Sequence, residues 1–270
     1  MAKNKSALPM PKFYKREMSA ALLSVAVWLA PLVRTLFGLR VRGIERLPKQ
    51  GAYVLVANHM TNVDPLAVAY FVYRILRRAP HFMAKESLFR LPVVGKILLA
   101  AGQIPVYRSS GNRNDEPLRV AHEYLKRGHT IAIFPEGTLT RDPGLWPMRG
   151  RSGAVRLALD TNVPVYPMAH WGAQNVLPRY SSKFRPGFWK RVDVAVGPEV
   201  DLAEFRGRKL SPEDVARATE RVMRAIADLV GELRGEAAPA VLWDPTAQGQ
   251  SVTGNFVKEQ KSSGKKGGSN

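Results

Sequence analysis

The sequence predicts an α/β fold: a mostly parallel mixed sheet flanked by helices, with an N-terminal amphipathic, interfacial helical segment in front of it. Three observations predict it. Short β-branched runs at 53–57, 104–107, 130–134, 163–167 and 192–196 alternate with helical stretches at about 65–77, 92–101, 116–127 and 151–161, the rhythm of strand–helix–strand units. The 270 residues suffice for one or two domains with a self-supporting core. There is no cysteine, which excludes disulfide frameworks, cysteine-ligated zinc and a cysteine-borne acyl intermediate.

In chain order, the N-terminal segment 1–38 comes first. Its apolar run, MSAALLSVAVWLAPLV at 18–33, is shorter than the roughly 20 residues a spanning helix needs, and Pro31 is expected to interrupt it. Residues 1–42 hold eight Lys or Arg and one Glu. A helix lying among anionic headgroups fits this pattern best. A plain buried amphipathic helix, and a span or signal peptide, are the other readings, the last disfavoured by the late start and the basic cluster that follows. Residues 39–235 form the folded domain. It closes with a helix that Ser211 caps, Pro212 opens and Gly235 ends. Residues 236–270, rich in Gly, Ser and Lys, read as a flexible basic tail.

The charge is the outlier. Against 22 Asp and Glu stand 41 Lys and Arg, a net +19, so the chain is drawn to nucleic acid, an anionic membrane or phosphorylated substrates. No helix-turn-helix, ribonucleoprotein aromatic motif or zinc spacing is present, and the basic residues are spread along the chain. No nucleic-acid partner is therefore expected.

Two polar clusters follow predicted strands, where α/β folds place their sites. After 53–57 comes Asn58-His59-Met60-Thr61-Asn62-Val63-Asp64-Pro65. Asp64 before Pro65 reads first as a helix cap with an incidental histidine, and alternatively as a carboxylate folded back to hold the tautomer of His59 in a general-base dyad. After 130–134 comes Phe134-Pro135-Glu136-Gly137-Thr138-Leu139-Thr140-Arg141-Asp142. This is either a polar turn or an anion-binding loop. Arg108, closing GQIPVYR, is either a surface cation or a phosphate fork. Arg151 is a weaker candidate of the same kind.

Together and in this order, NHMTNVD (58–64), GQIPVYR (102–108), FPEGTLTR (134–141) and VPVYP (163–167) resemble the four ordered blocks of the glycerolipid acyltransferase family, and within it the bacterial 1-acyl-sn-glycerol-3-phosphate (lysophosphatidic acid) acyltransferases. The resemblance implies that His59 is the base on the acceptor hydroxyl, with Asp64 orienting it. The activated oxygen would attack an acyl thioester directly, which agrees with the absence of cysteine and of a G-x-S-x-G motif. It assigns Arg108, Glu136, Gly137 and Thr138 to the glycerol-phosphate end of lysophosphatidic acid. Many relatives carry Arg where this chain has Leu139, so Arg141 or Arg151 is expected to supply that charge, or the acceptor is a different one: glycerol-3-phosphate, a lysophospholipid or a glycolipid. Acyl-coenzyme A or acyl carrier protein is implied as co-substrate, with no metal and no cofactor. The product, phosphatidic acid, would feed phospholipid synthesis at the cytoplasmic face of the cell membrane, where the protein would sit as a peripheral or monotopic enzyme.

Overall fold

The computed structural model describes residues 17–106, 116–185 and 187–251. The helices are α1 (Ala20–Leu36), α2 (Asp64–Tyr70), α3 (Glu86–Phe89), α4 (Pro92–Ala100), α5 (Glu116–Lys126), α6 (Gly153–Thr161) and α7 (Pro212–Arg234). The strands are β1 (Phe37–Arg42), β2 (Tyr53–Ala57), β3 (His81–Lys85), β4 (Ile104–Val106), β5 (Thr130–Ile133), β6 (Val165–Trp171) and β7 (Lys190–Val196).

The centre of the molecule is β2, whose five residues are all buried. Side chains alternate across a strand. Val54 and Val56 therefore join one apolar cluster with α5, α6 and α7, while Tyr53, Leu55 and Ala57 join a second with α1 and α2. A strand covered on both faces reads as an unbroken apolar run. The sheet order is β1-β7-β6-β2-β5-β3-β4, with β6–β7 antiparallel and every other pair parallel. The expected mostly parallel mixed sheet is the one observed.

Some elements differ from expectation. β1 and β3 carry no apolar run; β1 reads FGLRVR and lies at an edge, where outward arginines guard against further pairing. The helix expected over 65–77 changes to a π-helical turn at Phe71–Ile75. Pro31 does not interrupt the first helix. Ser19 caps it by accepting from the Leu22 N–H, and α1 continues through Pro31 to Leu36. Pro31 sits on the exposed side while Leu22, Ala26 and Val33 are buried, so one lost outward hydrogen bond is offset by packing on the inward stripe. The tail boundary also moves. Residues 236–251 lie against the domain: the Arg149 N–H donates to the Trp243 carbonyl at 2.8 Å, Arg149 pairs with Asp244 at 2.7 Å, and Leu242 packs on the first cluster. The apolar segment AAPAVLW at 237–243, inside the expected tail, anchors it. Residues 252–270 fall outside the described part of the chain.

Candidate active site

Because β2, β5 and β6 run parallel, their C-terminal ends meet at one edge of the sheet. There β2 leads into His59, β5 into the 134–141 loop, and β6 ends at His170-Trp171.

Beyond Ala57 the β2 backbone leaves the ladder, and the side chain of Asn58 continues it. Its Oδ1 accepts from the His170 N–H at 2.9 Å, and its Nδ2 donates to the His170 carbonyl at 3.1 Å. His59 is then held by the loop after β5. Its N–H donates to Glu136 Oε1 at 2.7 Å, and its carbonyl accepts from the Thr140 N–H at 2.7 Å. The following turn wraps the carboxylate of Asp64. Oδ2 accepts from the N–H groups of Met60 and Thr61 at 2.5 and 2.7 Å, Oδ1 accepts from the Thr61 hydroxyl at 2.8 Å, and His59 Nδ1 lies 3.0 Å from Oδ2. Asp64 thus opens α2 without spanning the helix as its cap; the preceding Val63 makes no side-chain capping bond. Of the two readings that the sequence leaves open, the geometry is that of the folded-back carboxylate.

Asp64 is fully buried. Burial alone would raise its pKa, but the neighbouring imidazoles of His170 and His59 and the Thr61 N–H outweigh it and hold the carboxyl below its usual range. An ionised carboxylate only accepts, so Nδ1 of His59 carries the ring hydrogen and Nε2 is left as the basic nitrogen. The imidazole is 16% exposed and stacks on Phe134 with ring centroids 4.3 Å apart; Phe134 in turn stacks on Phe82. The ring is therefore fixed in plane and open at one end.

Glu136 is buried, and both its oxygens serve the backbone, Oε1 for His59 and Oε2 for the Met148 N–H at 3.1 Å. Burial pushes its pKa up to about 8, against the lowering effect of those two N–H groups. It ties the His59 turn to the 148 region. Gly137 adopts φ +70°, and a Cβ there would sit 2.8 Å from Cδ and Nε of Arg151. The glycine therefore lets the exposed Arg151 lie across the loop, where the Arg151 N–H also bonds the Pro135 carbonyl. Thr138 and Leu139 are buried beside it. Arg141 turns inward, its Nη2 3.4 Å from Ser251 Oγ. Arg108 lies outside the described residues. His59, Asp64, Glu136, Gly137 and Arg151 thus converge, while Arg141 points away into the protein.

Three residues escaped the sequence reading of the site. Asn58 was signalled only by standing next to His59, and His170 only by following the last block by three residues. Arg179 had no signal at all; its Nη1 donates to the carbonyls of Thr140 and Asp142 at 2.8 and 2.5 Å and staples the loop. Among the described residues, no group of three or more His, Asp or Glu is placed to hold a metal.

A fully buried carboxylate beside a partly exposed histidine thus stands at the C-terminal edge of an α/β sheet. The chain belongs to the acyltransferase family, whose model matches residues 38–171. Its relatives include the 1-acyl-sn-glycerol-3-phosphate acyltransferase of Borreliella burgdorferi, 30% identical over 161 residues, 58% of this chain and 59% of that protein. That of Bacillus subtilis is 29% identical over 198 residues, covering 73% and 90%. A chloroplastic enzyme of Brassica napus is 28% identical over 155 residues, 56% of this chain and 42% of its own length. This chain thus spans about half the length of the first curated relatives it matches. The crystal structure of the 1-acyl-sn-glycerophosphate (LPA) acyltransferase PlsC from Thermotoga maritima superposes with a TM-score of 0.60 at 26% identity, covering 81% of each chain.

Proposed function

We propose that the protein transfers a fatty acyl chain from a thioester donor to the free hydroxyl of 1-acyl-glycerol-3-phosphate, giving phosphatidic acid. His59 Nε2 takes the hydroxyl proton as the oxygen attacks the thioester carbonyl. The tetrahedral intermediate collapses with loss of the thiolate, which takes the proton back from the imidazolium. Asp64 holds the tautomer and stabilises the imidazolium. The observation that carries this reading is the 3.0 Å contact between His59 Nδ1 and a fully buried Asp64. The names of the matched relatives support the acceptor. Arg151, exposed beside Gly137, and Arg108, on the strength of its block, are the cations for the acceptor phosphate. The donor is acyl-coenzyme A or acyl carrier protein, and the chemistry calls for no further cofactor.

The work site is the surface of an anionic membrane, on its cytoplasmic side. Support comes from α1, which is apolar on both faces: Leu22, Ala26 and Val33 are buried, while Trp28 on the other side is 83% exposed. Such a helix lacks an environment for its outer face in water. Phe188, 89% exposed, and Trp189, whose N–H bonds the Thr35 carbonyl at 2.9 Å, lie by the end of the same helix. None of the described helices is long and apolar enough to cross a membrane.

Purified protein in anionic vesicles, given palmitoyl-coenzyme A and lysophosphatidate, glycerol-3-phosphate or a neutral lysolipid, tests the reading. Lysophosphatidate should be acylated in preference to the others. Transfer to another acceptor would keep the chemistry and remove the acceptor assignment, an outcome that Leu139, buried where many relatives carry Arg, specifically favours. No transfer to any of them would remove the function.

A further inference from the structure

The proposed transfer leaves the buried imidazole beside the His59–Asp64 pair, that of His170, without a task. His170 is fully buried at the end of β6, a position where an apolar side chain would fill the space at no polar cost. A buried imidazole N–H is costly unless it meets an acceptor. Its Nε2 lies 2.9 Å from the Asn58 carbonyl oxygen and 3.9 Å from Asp64 Oδ2. A carbonyl and an ionised carboxylate only accept, so Nε2 must carry the ring hydrogen, directed at the Asn58 carbonyl and lying near Asp64. Nδ1 has no hydrogen-bond partner among the described residues. Burial, the largest influence, lowers the pKa of this histidine, which agrees with a neutral ring.

The same ring sits on a three-bond clamp. The Asn58 side chain bonds both backbone groups of His170, and the His170 ring bonds the backbone carbonyl of Asn58. The residue so held is the one directly before His59. We propose that His170 is a positioning residue of the His59–Asp64 pair: its Nε2–H fixes the Asn58 carbonyl, and with it the entry to the His59 turn, and sets its N–H dipole near Asp64 Oδ2. The inference rests on the general-base reading of His59.

Glutamine places an N–H near the position of the histidine Nε2, whereas asparagine reaches only as far as Nδ1. His170→Gln is therefore expected to keep kcat within about threefold of the unmodified protein. His170→Asn should lower kcat about tenfold or more, the scale of one lost hydrogen bond in a low-dielectric site, with the acceptor KM unchanged. Thermal melts of both variants report on folding. Equal kcat losses in the two variants, or an asparagine variant with full kcat, would overturn the positioning role. A measurement independent of any variant is the long-range proton–nitrogen spectrum of histidine-labelled protein at about pH 7. It should show His170 as the neutral Nε2–H tautomer, and an Nδ1–H tautomer would also overturn the proposal. Absence of acyl transfer in the unmodified protein would remove the general-base reading itself, and is told apart from failure of this inference because the spectrum needs no turnover.

Discussion

Replacing Asp64 with asparagine exchanges one buried atom and removes one charge. The amide oxygen can occupy the Oδ2 position, where His59 Nδ1 and the N–H groups of Met60 and Thr61 all require an acceptor. The amide nitrogen then replaces Oδ1 opposite the Thr61 hydroxyl, which can turn to accept. The local fold should therefore survive, with a melting temperature lowered by only a few degrees. Catalysis should not survive so well. Opposite unit charges about 4 Å apart attract by ~4 kcal/mol at the effective dielectric that suits protein sites. The His59–Asp64 contact of 3.0 Å, with its charge centres somewhat further apart, belongs in that range. This stabilisation exists only once the imidazole has taken the hydroxyl proton, so its loss raises the barrier rather than weakening binding. At ~1.4 kcal/mol per tenfold, kcat should fall about 10³-fold, with both KM values nearly unchanged. Steady-state acyl transfer over a range of acceptor and donor concentrations, beside a thermal melt, measures both parts. A folded variant with kcat within about tenfold of the original would refute the claim that this carboxylate stabilises the base.

His59→Ala should abolish transfer while costing the ~1 kcal/mol of its stacking on Phe134 and the Nδ1–H bond to Asp64, which keeps its Met60 and Thr61 donors; turnover at the original rate would remove the base. Gly137→Ala meets both a φ of +70° and a 2.8 Å approach to Arg151. It should destabilise by ~1–2 kcal/mol and raise the acceptor KM severalfold by displacing that arginine, so an unchanged KM would take Arg151 out of the phosphate site. For Glu136, the folded pKa of about 8 lies above the ordinary 4.5. The unfolded chain gives up this proton first, so the group's contribution to stability is full below about pH 4.5 and is lost as the pH rises to about 8. Denaturant melts at about pH 5 and pH 8 should show Glu136→Gln losing less stability between them than the unmodified protein, and equal losses would contradict a buried, protonated Glu136.

Much of the scaffold was legible because it depends on local patterns. The run YVLVA can hardly be other than a central strand, and Ser211-Pro212 with Gly235 marks both ends of α7. Other elements were hidden because long-range contacts make them. β1 is a strand because β7, some 150 residues later, pairs with it in parallel register from Phe37–Lys190 to Arg42–Ala195. α1 passes through Pro31 because α2 gives its other residues something to pack on.

The same division runs through the site. By itself the sequence determined that a histidine and an aspartate stand five residues apart where a strand gives way to a helix, and that a Glu-Gly-Thr loop follows another strand. It could not determine which way the aspartate faces, since a capping carboxylate and a catalytic one have identical neighbours along the chain. That was decided by residues 77 and 112 positions away, Glu136 holding the N–H of His59 and His170 holding Asn58. Only the folded sheet brings those groups to one edge, and only there, out of water, must every buried N–H find its acceptor, a requirement that turns the Asp64 carboxylate back onto His59.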